Sequence, residues 1–314
     1  MTAVNTEVIG GINSYVLYGL QSVYTTAVTP DKIFGGLITN ASFSVDRQYN
    51  ERSGFAGTGT NDGRVTSHTL PGTLSTSASI SFDAQRWDWI AHALLASRTG
   101  SGTSGTPYLY TVGNTANYLT LSEEIDNVAT NSSRAYPGMV INNVSIKCGV
   151  GEPVGVTVDL IGGLLSVDTT LSSRIAQNTD DVYNFSGGSI TFNTTTLGNV
   201  IDSVDLNISN NHTVIYGFSE EAKNAKPGKF SVGLRFTAKY LDDSVIEQML
   251  GSSTGLDDQT PINIKLKFEK GDSYVEFTLK GAVVNRDETG HQLNEFVVED
   301  VDIIGKALEI REVL

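Results

Sequence analysis

The chain has little cysteine, proline, methionine or tryptophan: 1, 7, 3 and 2 of them in 314 residues, with 21 Lys and Arg against 35 Asp and Glu. A lone thiol, Cys148, forms neither an internal disulfide nor a cysteine-rich metal centre, and within VINNVSIKCG it reads as a small buried strand residue. The cation deficit leaves a formal net charge of −14 with no Lys/Arg cluster. That excludes a protein that grips phosphate backbones, since such affinity comes from neutralising phosphates; passing nucleic acid stays open. No apolar run approaches the roughly 20 residues of a membrane helix. The opening MTAVNTEVIGGINSYVLYGL lacks a basic leader and a long apolar core, so cytoplasmic synthesis without a membrane anchor is expected. Charged residues at 18% and hydrophobic ones at 39% describe a globular chain, not an acidic disordered tail.

What the chain has instead is glycine, 32 residues of it, with much Thr, Ser and Asn. Ser, Thr and Asn compete for backbone hydrogen bonds, and glycine loses entropy in a helix, so strands and turns are favoured. The expected class is mainly β. DSVDLNIS alternates Val204, Leu206 and Ile208 with Asp205 and Asn207, the two-residue period of a half-buried strand. KFSVGLRFTA, YVEFTLKGAV and FVVEDVDII alternate in the same way.

The length suits two domains, and the sequence repeats itself. LPGTLSTSASISFDAQRWDWIAHALL (70–95) lies on KPGKFSVGLRFTAKYLDDSVIEQMLG (226–251) without a gap, 156 positions apart. Pro71-Gly72 then falls on Pro227-Gly228, Ala78 on Leu234 and Ile80 on Phe236. Upstream, LITNASFSV (37–45) matches VIDSVDLNI (200–208) at a separation of 163. Downstream, YLYTV matches INIKL, NYLTL matches SYVEF and VINNVSI matches VVEDVDI at 154 to 157. Each repeat thus reads as two strands, a helix and three strands. Asp83 is expected to cap a helix over AQRWDWIAHALLAS, and Asp242 or Asp243 to begin one over DDSVIEQML. The resulting organisation is an N-terminal arm (1–32), a first repeat (33–170), a linker (171–183) and a second repeat (184–314). Each repeat is a β-sandwich or open barrel with one α-helix packed on the sheet. Long polar stretches at 46–69 and 209–226 occupy matched places, which favours function over disorder.

Catalytic chemistry is not legible. His68, His92, His212 and His291 share no spacing, GTGTNDG lacks both the dinucleotide and the Walker register, and no nucleophile elbow appears. In VEDVDIIG, Glu299 and Asp300 point to opposite faces of a strand and no calcium-loop pattern exists. No enzyme, metal site or cofactor is expected.

The order of these segments, from NSYVLYGLQSVYTTA through LPGTLSTSASISFDAQRWDWIAHALL and YPGMVINNVSIK to FSGGSITFN and IDSVDLNISNNH, resembles bacteriophage major tail tube proteins of the long-tailed phages. The resemblance covers the chain from about Gly10 to its end and rests on diffuse patterns taken in order. It implies a structural virion protein of the viral tail, made in the host cytoplasm, whose rings stack into a tube that houses the tape measure protein and delivers the genome. Two tube-like repeats per chain imply a homotrimeric ring of pseudo-sixfold symmetry; a homohexamer with one repeat as outer decoration is the alternative. A β-sandwich fibre or cell-surface binding module is the rival class. On this reading Asp46, Arg47, Glu51, Arg52, Asp62 and Arg64 in one loop, and Glu220, Glu221, Lys223 and Lys226 in the other, are candidates for ring stacking, together with the N-terminal segment. Asp205, Asp300 and Asp302 are candidate lumen carboxylates that would repel phosphates and keep DNA a transient cargo.

Overall fold

The computed structural model describes residues 14–314 apart from 53–67, 115–116, 127–130, 241–244, 246, 248–259, 291–296 and scattered positions between 169 and 200. Its first half carries β1 (Ser14–Gln21), β2 (Gly36–Arg52), β3 (His68–Ala84), a single helical turn α1 (Ile90–Ala93), β4 (Tyr108–Thr111), β5 (Tyr118–Ile125), β6 (Ser132–Gly149), β7 (Gly155–Gly162) and β8 (Ser166–Asp168). The second half carries β9 (Ser189–Phe192), β10 (Thr195–Thr196), β11 (Ile201–Ser209), β12 (Thr213–Tyr216), β13 (Ala222–Lys226), β14 (Ser231–Lys239), β15 (Ile262–Lys270), β16 (Ser273–Gly290), β17 (Val298–Gly305) and β18 (Ala307–Val313). The chain is mainly β, as its composition predicts.

Eight of these strands form one continuous antiparallel run, β2-β3-β7-β6-β11-β14-β17-β16. The first four and the last four follow the same order, and β6 joins β11 edge to edge. The register is repeated as well. Ala78 on β3 faces Phe43 and Leu160; Leu234 on β14 faces Leu206 and Ile303. The separations of 156 and 163 read from the sequence are thus the ones the pairing obeys for β3/β14 and β2/β11.

Downstream the pairing corrects the sequence alignment. It equates β5, β6 and β7 with β15, β16 and β17 at a separation of 143, whereas the sequence matches had set β4 on β15, β5 on β16 and β6 on β17, each one strand out. Met139 faces Leu119 as Ala282 faces Ile262, and Ile141 faces Leu160 as Val284 faces Ile303. Bulges fall at matched places, after Ile141 and after Val284. The sequence trace is VDLIG (158–162) against VDIIG (301–305). The extra strand is β4, which leaves its own half and pairs with β18 of the other.

β6 and β16 each serve two sheets. Their first halves pair with β5 and β8, or with β15 and β18, in a flanking layer; their second halves enter the eight-stranded run. The changeover is marked by Gly138 (φ 70°) and Gly281 (φ 61°), a left-handed conformation that costs an L side chain about 1–2 kcal/mol. The repeated Pro-Gly has a local cause too. A Cβ on Gly72 would sit 2.3 Å from the Gln48 carbonyl oxygen, and one on Gly228 would sit 2.4 Å from that of Asn211, its counterpart.

Between the layers lies one hydrophobic core that spans both halves. Phe43 stacks on Tyr136 between the layers of the first half at 5.2 Å, and Phe192 meets Phe236 edge-on between those of the second at 5.7 Å. Trp87 and Trp89 are fully buried, with Trp87 edge-on to Phe277 of the second half at 5.2 Å. Glu312 on β18, itself buried, accepts hydrogen bonds from the Tyr110 hydroxyl (2.6 Å) and the Trp87 backbone N–H (3.2 Å), locking the halves together. Cys148 is a buried free thiol on β6, pushed up to about 12 by burial.

Two expectations differ from the structure, and one is met at the residues described. The helix of the first repeat is only α1, its N-cap is Trp89 with no side-chain bond, and Asp83 belongs to β3. In the second repeat Val245 and Glu247 are helical, and the rest of DDSVIEQML lies outside the described residues. Of the expected N-terminal arm, Ser14–Gln21 is β1, paired along its length with β5, because Val16, Leu17 and Tyr18 are needed in the core; residues 1–13 lie outside the described residues.

Candidate functional site on the polar sheet face

Strand alternation sends every second residue of the eight-stranded run away from the core. Register then assembles these outward residues into rows. One row crosses seven strands as Ile304, Gly233, Asn207, Ser145, Thr157, Ser81 and Asn40. The next places Ser231, Ser209, Asn143, Asp159, Ser79 and Ser42 in line. Short polar side chains bond along these rows: Ser209 Oγ to Asn143 Oδ1 at 2.7 Å, Ser79 Oγ to Asp159 Oδ1 at 2.7 Å, Ser81 and Thr157 at 3.0 Å.

The three carboxylates expected to share a face do share it. Asp205 stands on β11, and Asp300 and Asp302 on β17, flanking β14 on either side. What the sequence reading missed is the cation between them. Arg286, Asp302, Arg235, Asp205 and Lys147 occupy one row, alternating in sign across five strands. Arg235 Nε lies 3.6 Å from Asp302 and its guanidinium 3.9 Å from Asp300, while Lys147 Nζ lies 3.3 Å from Asp205. Asn207 Nδ2 donates to Asp205 at 2.8 Å, Thr237 donates to Asp300, and Arg286 pairs with Glu288. The carboxylates are therefore part of a mixed-charge lattice in which each has a cation within 4 Å, not a bare acidic row. Their side chains keep 30–40% exposure, and such solvated pairs contribute at most about 1 kcal/mol each. Alternation along β6 and β14 was the signal that could have found Lys147 and Arg235.

The loop candidates separate. Asp46 and Arg47 are strand residues of β2, with Asp46 on the polar face and Arg47 on the other. Glu51 and Arg52 end β2 opposite Thr69 and His68, while Asp62 and Arg64 lie outside the described residues. The second stretch folds back as the β12–β13 hairpin against the first half. Tyr216 donates to the Leu74 carbonyl at 2.8 Å, Leu74 N–H donates to Glu220 O at 2.8 Å, and Tyr118 donates to Asn224 at 2.7 Å. Glu220 ion-pairs with Arg47, so two charges expected to reach a neighbouring ring meet within one chain. Glu221 sits in the same turn, Lys223 and Lys226 on β13, and Phe218 at the turn is fully exposed.

Among the described residues no group of three or more His, Cys, Asp and Glu is placed to hold a metal ion, and no helix is long and apolar enough to cross a membrane. The arrangement is a sheet with an apolar face, a hydrophilic face and a strand at each end that no further strand of the run covers.

No curated protein matches the sequence. The family of phage tail tube proteins matches over residues 11–306, nearly the whole chain and all eight strands of the run. The chain belongs to the phage tail tube protein family.

Proposed function

We propose that three copies of this chain close the eight-stranded runs into one barrel and that the stacked barrels form the channel of the tail. The reading treats 33–170 and 184–314 as two tail-tube-like units in one chain. The observation that carries it is the repeated four-strand order, with β2 and the Arg286–Gly290 end of β16 each paired on one side only among the described residues. An exposed edge is an invitation to pair, and a closed barrel removes it.

Three copies supply twenty-four strands to the wall. With strands about 4.8 Å apart and tilted by about 40°, the wall is about 50 Å across between backbones, leaving a bore of roughly 35–40 Å once side chains are added. Such a bore admits double-stranded DNA and, before ejection, a tape measure protein. The polar face supplies the lining. Its hydroxyls, amides and paired charges hold no cationic stripe that would retain phosphates, so DNA slides instead of binding. Ring stacking falls to the end of β2, with Glu51 and Arg52, together with Asp62 and Arg64 in the sequence that follows it, and to the β12–β13 hairpin, with Glu221, Lys223, Lys226 and the bare Phe218. The particle belongs in the virion tail after synthesis in the host cytoplasm.

Electron microscopy of the purified protein tests this. Hollow tubes whose rings contain three chains are expected; a monodisperse monomer at all concentrations, or rings of six chains, would overturn it.

A further inference from the structure

The chain carries a template for its own assembly. Within one molecule the first half meets the second through β6 and β11, paired antiparallel with Asn143 opposite Ser209, Ser145 opposite Asn207 and Lys147 opposite Asp205. The strand equivalent to β6 in the second half is β16, 143 positions on; the strand equivalent to β11 in the first half is β2, 163 positions back. Among the described residues β2 pairs only with β3, and Arg286–Gly290 of β16 pairs only with β17. These two segments are the free ends of the run.

We propose that neighbouring copies join by repeating the internal seam, β2 of one copy pairing antiparallel with the end of β16 of the next in the register that sets Asp46 opposite Arg286, Ser44 opposite Glu288 and Ser42 opposite Gly290. The proposal rests on the ring reading above and names which strands and residues make its contact. Three observations support this register over a slipped one. It is the register the internal seam uses. It keeps the outward residues of both strands on the polar face, which a slip by one residue would reverse. It also brings opposite charges together: Arg286 already ends the alternating row through Asp302, Arg235, Asp205 and Lys147, and Asp46 extends that alternation into the next molecule. On the core side Val45, 44% exposed in the single chain, and the half-buried Phe43 gain cover from Asp287 and Thr289 of the neighbour. The internal counterparts there are Val144 with Ile208 and Ile146 with Leu206, all apolar. The outer seam is thus the more polar of the two and suits contacts that form only on assembly.

Paired cysteines read the register. In S44C/E288C, oxidation of assembled tubes should give covalent trimers on a non-reducing gel, whereas S42C/E288C, slipped by two, should give several-fold less. The native Cys148 is buried and held as a thiol, so it does not compete. As a second reading, Asp46→Lys should raise the concentration needed for assembly about fivefold or more, the equivalent of one opposed charge pair, while Asp46→Glu should leave it near the original. Three-chain rings that cross-link better in the slipped pair, or that tolerate Asp46→Lys, would overturn the seam and leave the ring reading standing. Rings of six, or monomers throughout, would overturn both.

Discussion

The two halves of the eight-stranded run share their pairing and differ in what they show to solvent. Ala78 and Leu234 occupy one position of a common register, as do Gly138 and Gly281, and the bulges coincide. Yet the outward face of the second half is a lattice of Asp205, Arg235, Asp300, Asp302, Arg286 and Glu288, while that of the first half is dominated by Ser42, Ser44, Ser77, Ser79, Ser81 and Thr157. Core contacts fix a backbone because buried shape is costly to alter, whereas outward residues vary as long as they stay hydrophilic. The halves are one scaffold with two outward faces. In the proposed trimer the wall alternates hydroxyl-rich and charge-rich sectors three times around the bore.

The comparison can be tested from the inside outward by urea unfolding of the unassembled chain. One core position where the halves differ in volume is Ala78 against Leu234, both buried. Leu234→Ala should cost about 3 kcal/mol through lost burial and a residual cavity, and Ala78→Leu about 1–3 kcal/mol through overpacking. A cost below about 1 kcal/mol for both would mean that the core does not hold the shared register.

Acid should act on both halves next. His92 and His212 are each lowered to about 4, in both cases chiefly by burial, and both His212 ring nitrogens are buried without a partner. The unfolded chain, with histidines near 6.5, binds protons the folded chain refuses, so stability is complete above about pH 6.5 and falls toward pH 4. The loss at pH 4.5 should reach about 2–3 kcal/mol per histidine. His92→Leu and His212→Leu should each flatten the profile between pH 6.5 and 4.5; an unchanged profile in the double variant would place the acid sensitivity elsewhere.

The hinge glycines should differ in a definite order. A Cβ on Gly138 would lie 2.8 Å from Tyr24 Cζ and 2.9 Å from the Tyr24 carbonyl oxygen, whereas one on Gly281 would meet only the flexible Lys306 side chain, at 3.1 Å. Gly281→Ala should cost about 1–2 kcal/mol from backbone strain alone, and Gly138→Ala more. The reverse order would show that the two bends are not held alike. The smallest effect belongs to the polar face itself. Arg235→Ala should cost less than about 1 kcal/mol, with the difference disappearing in molar salt, and Ser79→Ala should cost about the same or less.

Much of the scaffold was legible because alternation is local. β11, β14, β17 and the first half of β16 announce themselves through a two-residue period, and Asp205, Asp300 and Asp302 could be assigned one face on that ground. Pro71-Gly72 and Pro227-Gly228 repeat because each glycine abuts a backbone carbonyl at an equivalent place, Gln48 in one half and Asn211 in the other. The rest depends on contacts distant in sequence. β1 looked like an arm because its apolar run gains meaning only beside β5. β4 shifted the downstream alignment by one strand because its partner, β18, lies some 200 residues away. Arg235 was overlooked as the partner of Asp300 and Asp302 because no spacing along the chain brings β14 beside β17. The mixed-charge loops suggested contacts between rings, and the Arg47–Glu220 pair closes one of them inside the chain.

The amino-acid sequence by itself determined a β class, a duplicated pattern and a chain without a cationic patch or cysteine framework, since composition and alternation act within a few residues. Only the tertiary structure decided that β6 meets β11, that among the described residues β2 and the end of β16 are paired on one side alone, and that the acidic residues of one face stand between arginines and lysines. Register between strands is a property of pairs, and it selects the neighbours that a one-dimensional pattern leaves unassigned.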